Sequence, residues 1–326
     1  MPLCRIFLHR FDLPFTLLRK STSYFGYNPR RCFEASTSVA RLEDIMTDVA
    51  SAIRCAAVNW NDIVQLLHKS RMGGSDVSHM IFQISPTNSR PFLLGCQVDT
   101  VSRWALDLLL QYLGARRADV TADFYYEITL LMPEAASLRG HLFKRQVLDH
   151  LCGIRTESTF SIRGLTNSEK TTWTYRGPIR RIDLENSTVS YELTEAVRRQ
   201  ESLHLVPLVR SFPAVDSILY DPKDQEAAFT CIQIPRNKDH AIDVPSLLRI
   251  QSWLKLHTPL EGLRPTEEDK PWRLLFVVPL STKAEFKLQK LDPPSGVWAV
   301  KDPRLCVLGL EERSIFGRRS EFTSQQ

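Results

Sequence analysis

Asp216 and Gln233 are the residues whose type and spacing best suit a metal ion. Asp216 lies inside the apolar run Phe212–Tyr220, and Gln233 near the end of the next run, Ala228–Pro235. A carboxylate inside an apolar strand is costly unless it is paired or bound to a cation. Mg2+ held by such oxygens polarises a phosphodiester and activates a water. Lys238 and His240 follow closely enough to assist as catalytic groups. The pattern therefore leads to metal-dependent phosphodiester cleavage. Each residue also has a plainer reading: Asp216 near a strand end, hydrogen-bonded to backbone or to His240, and Lys238 and His240 as solvated loop residues. Pro235 stands where a lysine would orient the water, and its ring also removes a backbone donor.

The elements needed to position these groups can be read from periodicity. Leu42, Ile45, Met46, Val49 and Ile53 repeat at helical spacing within residues 38–69, with a break near Asn59 and Asn61. Met80–Ile84 reads as a short strand after a turn over Arg71–Ser78. Thr100 is placed to cap a helix carrying Val101, Trp104, Ala105, Leu108, Leu109 and Tyr112, closed by Gly114. Helices are expected over 120–131 and 138–151. Beyond Gly153 the period changes to two, giving strands at 159–163, 172–176 and 189–193. Further strands follow at 203–209, around Asp216 and around Gln233, then a helix at 244–257 and strands at 274–278 and 306–310. Glu312 onward reads as a disordered tail. The sum is an α/β (α+β) chain with a helical amino-terminal part and a mixed central sheet flanked by helices.

The 326 residues carry a net charge of +5, mildly basic, which permits nucleic-acid binding without demanding it. Seven cysteines, none in a Cys-x-x-Cys pair, argue against a zinc ribbon or a disulfide framework and suit an intracellular reducing compartment. Cys55, Cys231 and Cys306 sit in apolar runs and are expected as buried thiols. No apolar run is long enough to span a membrane. Without a Gly-Lys dipeptide there is no P-loop site for ATP, and no G-x-G-x-x-G opens a helix. The basic first segment, with Arg5, Arg10, Arg19, Lys20, Arg30 and Arg31 against Asp12, reads as a transit peptide or as a remnant of a longer fold.

An ordered set of short motifs then carries a resemblance. These are Tyr27-Asn28-Pro29-Arg30-Arg31-Cys32-Phe33, Ser78-His79-Met80-Ile81-Phe82-Gln83-Ile84, Gly140-His141-Leu142-Phe143, Asp216-Ser217-Ile218-Leu219, Cys231-Ile232-Gln233-Ile234 with Asp239-His240, and Trp272 through Pro279. Across roughly residues 24 to 318 the chain resembles the carboxy-terminal portion of fungal Crinkler and retrotransposon-hot-spot-like proteins. The resemblance implies a basic segment at 1–37 left from a lost NTPase domain, a helical linker at 38–136, a restriction-endonuclease-like domain at 137–312 and a tail at 313–326. It implies a Mg2+-dependent DNA nuclease with Asp216 and Gln233 as metal ligands. It also implies action in a nucleus, the protein's own or a host's. Lys144 falls where the family's first helix usually carries Glu, and Pro235 where it carries Lys or Thr, so a degenerate site with weak metal affinity is implied. The alternative is a non-catalytic module that binds nucleic acid or a protein partner.

Overall fold

Helical spacing of Leu42, Ile45, Val49 and Ile53 does fold as one helix, with all four side chains buried. In the computed structural model the described residues are 15–26, 28–57, 62–65, 80–86, 96–114, 118–131, 135–166, 169–176, 179–184, 189–207, 215–224, 226–235, 242–255, 258–264, 272–287, 291–292 and 304–316. They divide into two compact units, Met1–Leu142 with Phe316–Gln326, and Phe143–Ile315. The expected turn at 71–78, and both Lys238 and His240, lie outside the described residues.

In the first unit, α1 (Phe15–Phe25), α2 (Pro29–Ala35) and α3 (Val39–Ala56) precede the hairpin β1 (Phe82–Pro86) and β2 (Cys96–Thr100), then α4 (Arg103–Gly114) and α5 (Ala118–Leu131). Asn28 and Ser38 cap α2 and α3 through side-chain oxygens that accept from Arg31 N and Arg41 N. The cap of α4 is Ser102, whose Oγ accepts from Ala105 N at 3.1 Å. Thr100, the expected cap, is the last residue of β2 instead. Gly26 has φ +62°, and a Cβ there would stand 1.7 Å from the Val101 carbonyl oxygen, so only glycine lets the chain pass. Tyr24 packs edge-on against Trp104 with centroids 5.4 Å apart. The described part of the basic first segment is thus packed, with Leu18, Phe25, Cys32 and Ala35 buried. Cys55, expected inside, is exposed.

The second unit begins within α6 (Ala136–Gly153). It continues through β3 (Glu157–Gly164), β4 (Lys170–Arg176), β5 (Arg180–Leu184), α7 (Val189–Arg199), β6 (Leu203–Pro207), β7 (Ser217–Tyr220), β8 (Phe229–Gln233), β9 (Ile242–Asp243), α8 (Val244–Lys255), β10 (Trp272–Pro279), α9 (Leu280–Lys283), β11 (Leu291–Asp292), β12 (Arg304–Leu310) and α10 (Glu312–Phe316). Eight strands form one mixed sheet in the order β4-β3-β12-β10-β8-β7-β6-β5. Strands β6, β7 and β8 meander antiparallel, α8 then crosses to β10 parallel to β8, and β12 lies parallel to β10. The runs Trp272–Val278 and Phe229–Ile232 are buried without interruption, as a sheet covered on both faces requires.

Beginning and end of the strand order are neighbours in sequence. Three residues lie between Arg176 on β4 and Arg180 on β5, so four Cα steps allow at most about 14 Å. Laid flat, the eight strands would put those edges about 34 Å apart at 4.8 Å per step. The sheet is therefore curled, bringing β4 round towards β5 and β6.

Two further expectations fail for identifiable reasons. Residues 189–193 alternate like a strand but begin α7, because Leu193 and Ala196 continue on a helical face and are buried. That helix closes with Gln200 at φ 54° and with Glu201 N donating to Ala196 O at 3.0 Å. The supposed tail contains α10, and its Phe316 stacks on Tyr125 with centroids 4.0 Å apart, both in the first unit.

Candidate functional site

Asp216 sits just before β7 rather than within it. Ser217 is the ladder partner of Ile232, yet Asp216 N also donates to Ile232 O at 2.8 Å. Two residues thus face one, a bulge that ends the ladder and re-aims the Asp216 side chain. Its carboxylate is held at both oxygens. Oδ2 accepts from Ile234 N at 2.6 Å, and Oδ1 accepts from Lys144 Nζ on α6. The pair is largely sheltered, with side chains 29% and 16% exposed for Lys144 and Asp216, which removes most of the screening an open ion pair would suffer.

This group lies where β8 ends, at the carboxyl ends of the parallel strands β8, β10 and β12, the usual place for a site in an open α/β sheet. Gln233, half-buried, is the last residue of β8 and adjoins Ile234. The structure therefore brings Asp216, Gln233 and Lys144 to one end of the sheet. A hard divalent cation asks for six or more oxygens. No group of three or more His, Cys, Asp or Glu placed so as to hold a metal ion occurs among the described residues. The position facing Asp216 Oδ1 is held by the Lys144 ammonium.

A second polar cluster was not anticipated. His204 on β6 is fully buried, with Nδ1 3.3 Å from Cys152 Sγ and 3.4 Å from Tyr175 Oη, and Nε2 2.9 Å from Ser217 Oγ. Burial, then the nearby Arg181 charge, pushes the imidazole down to about 3. Burial, then the Cys152 charge, raises the Tyr175 hydroxyl. The ring is thus neutral. Nδ1 has the thiol and the hydroxyl as partners and Nε2 has the Ser217 hydroxyl, and because each of these groups can donate or accept, either neutral tautomer is satisfied. Polarity in the Leu203-His204-Leu205 alternation was the available signal.

Near the other end of β8 and β10, Arg273 is 2% exposed and donates to Asp224 Oδ2 at 2.7 Å, Glu226 Oε2 at 3.2 Å and Thr230 Oγ1 at 3.4 Å. It lines a 320 Å³ cleft with Thr172, Thr174, Arg176 and Lys223. Asp221, Asp224 and Glu226 balance these cations, and the arrangement reads as structural.

No helix among the described residues is long and apolar enough to cross a membrane. Comparison with family models, with curated proteins and with solved structures finds no match to this chain.

Proposed function

We propose that the chain is a non-catalytic nucleic-acid-binding module on a nuclease-like core, with its own lysine standing where a catalytic cation would be. The observation that carries this reading is the Lys144–Asp216 ion pair. An ammonium against the Asp216 carboxylate opposes a divalent cation by charge repulsion and by occupying its place. Support for the nuclease-like ancestry comes from the sequence resemblance. The antiparallel β6-β7-β8 meander, followed by the α8 crossover to β10, is compatible with it. The net charge of +5 suits a polyanionic partner.

The test is incubation of the full chain with supercoiled plasmid and Mg2+ or Mn2+, beside Asp216→Ala, with a mobility-shift assay on the same DNA. The reading expects DNA retardation and no cleavage. Metal-dependent nicking that disappears in Asp216→Ala would replace it with the nuclease reading, in which metal displaces Lys144 from Asp216 and uses Gln233 as a second ligand. Neither retardation nor cleavage would leave a protein-binding module.

A further inference from the structure

Cross-strand neighbours of like charge are destabilising unless something compensates them, and this chain sets three cations together. Arg163 on β3 and Lys170 on β4 are ladder partners. Lys283, at the end of α9, reaches over from the β10 side. Its Nζ donates to Ser161 O on β3 at 2.7 Å, while Arg163 Nη2 donates to Lys283 O at 2.8 Å and to Phe286 O at 2.9 Å. Gly309 on β12 makes this approach possible, because a Cβ there would stand 2.8 Å from Lys283 Cδ and 2.9 Å from Lys283 Cβ. The backbone therefore fixes the Lys283 ammonium beside Arg163 and Lys170 instead of leaving it on a free stem.

None of the three has a carboxylate partner among the described residues. Partial burial, then Arg163 and Lys170, lowers the Lys283 ammonium below its ordinary range, so the cations oppose one another. Arg163 and Lys283 are half-buried and Lys170 is exposed, so the cluster opens to solvent. A sequence that keeps such a repulsion where single neutral substitutions would relieve it marks a place where the compensating charge is supplied from outside.

We propose that Arg163, Lys170 and Lys283 form a phosphate-binding cluster that grips the backbone of a nucleic acid. The assignment rests on the nucleic-acid reading above and adds the surface that carries it. Arg163 supplies planar guanidinium donors and the two lysines supply point charges. Contacts of this kind position the strand without reading its sequence.

The experiment is fluorescence anisotropy with a short labelled duplex across a salt series, using the full chain, Lys170→Gln, Lys283→Gln and, as a charge-matched control elsewhere, Arg198→Gln. Each neutralised phosphate contact contributes about 0.9 to the slope of log K against log salt. Lys170→Gln and Lys283→Gln should each weaken binding roughly 3- to 10-fold and lower the slope by about 1, as loss of one phosphate contact does. Arg198→Gln should bind like the unaltered protein. Lys170 is exposed, so its variant keeps the test valid even if Lys283→Gln disturbs the fold. Duplex binding with unchanged affinity and slope in Lys170→Gln overturns the cluster alone. No binding by the unaltered protein overturns the nucleic-acid reading itself. Displacement of the duplex by millimolar inorganic phosphate would mark a small-anion site and overturn the backbone assignment.

Discussion

Tyr175 and His204 belong to the first and seventh strands of the sheet order, yet Tyr175 Oη lies 3.4 Å from His204 Nδ1. Only a curled sheet permits that distance. The contact joins β4 to β6 inside the curl, and Ser217 and Cys152 complete the ring's partners. Tyr175→Phe should cost about 1 kcal/mol, because Cys152 still satisfies Nδ1. His204→Leu should cost about 3 kcal/mol by leaving several polar groups unpaired. Urea unfolding, with the midpoint shifted at constant m-value, measures both.

The same histidine sets a pH dependence. Its folded value, about 3, lies below the ordinary 6.5, so its contribution to stability is fully present above pH 6.5. That contribution is lost as pH falls from there towards 3, because the unfolded chain takes up a proton the folded chain refuses. The slope from one group is at most about 1.4 kcal/mol per pH unit. Stability of His204→Gln, measured from pH 7 to pH 4, should be flatter than that of the unaltered protein by this amount.

Lys144→Glu should convert the ion pair into two facing carboxylates. Without metal the variant should be less stable by about 2 kcal/mol, from lost pairing and new repulsion. Mg2+ should then raise its melting temperature while leaving that of the unaltered protein unchanged. At ten times the dissociation constant the gain is about 1.4 kcal/mol, a shift of a few degrees. Differential scanning fluorimetry over a Mg2+ series reads this directly. An equal rise in both proteins would contradict the blocking role of Lys144.

Gly26 and Gly309 rank by the nature of the obstacle each meets. At Gly26 a new Cβ runs into a backbone carbonyl at positive φ, whereas at Gly309 it meets the Lys283 and Leu280 side chains. Gly26→Ala should cost well over 1 kcal/mol, from strain and clash together. Gly309→Ala should cost about 1–2 kcal/mol as side chains shift, and it should also weaken duplex binding by displacing Lys283. Thermal unfolding and anisotropy on the two variants separate these effects.

Phe316→Ala should destabilise the first unit by about 3 kcal/mol, since the ring is buried and stacked on Tyr125. Limited proteolysis of the variant should open cleavage sites in α5 before those in the sheet.

Most elements were legible because their apolar residues keep one period over their whole length, as in α3 and in the alternating hairpin of β3 and β4. Where a short window fits two periods, as at Val189–Leu193, only burial of Leu193 and Ala196 settles the matter. Phe316 was hidden because Ile315 and Phe316 stand as a lone apolar pair after Glu311–Ser314 and before Gly317–Arg319, and one pair carries no periodicity. Asp216 was legible as an anomalous charge; Lys144 lies 72 residues away in sequence, and no local pattern announces that the two meet, only the resemblance that sets Lys144 where the family's first helix carries Glu. His204 was hidden similarly: its partners come from α6, β4 and β7, and only the curl assembles them.

The three-residue connection between β4 and β5 also bears on how copies of this protein behave towards one another. An unpaired sheet edge is a template on which a foreign strand can add. Here the two edges are tethered at one end within about 14 Å, a gap that admits no more than about two strands at 4.8 Å spacing. A neighbouring chain therefore meets a nearly closed wall at that end rather than two free flanks. Growth of an extended sheet from copy to copy is opposed by connectivity itself, whatever the surface charge.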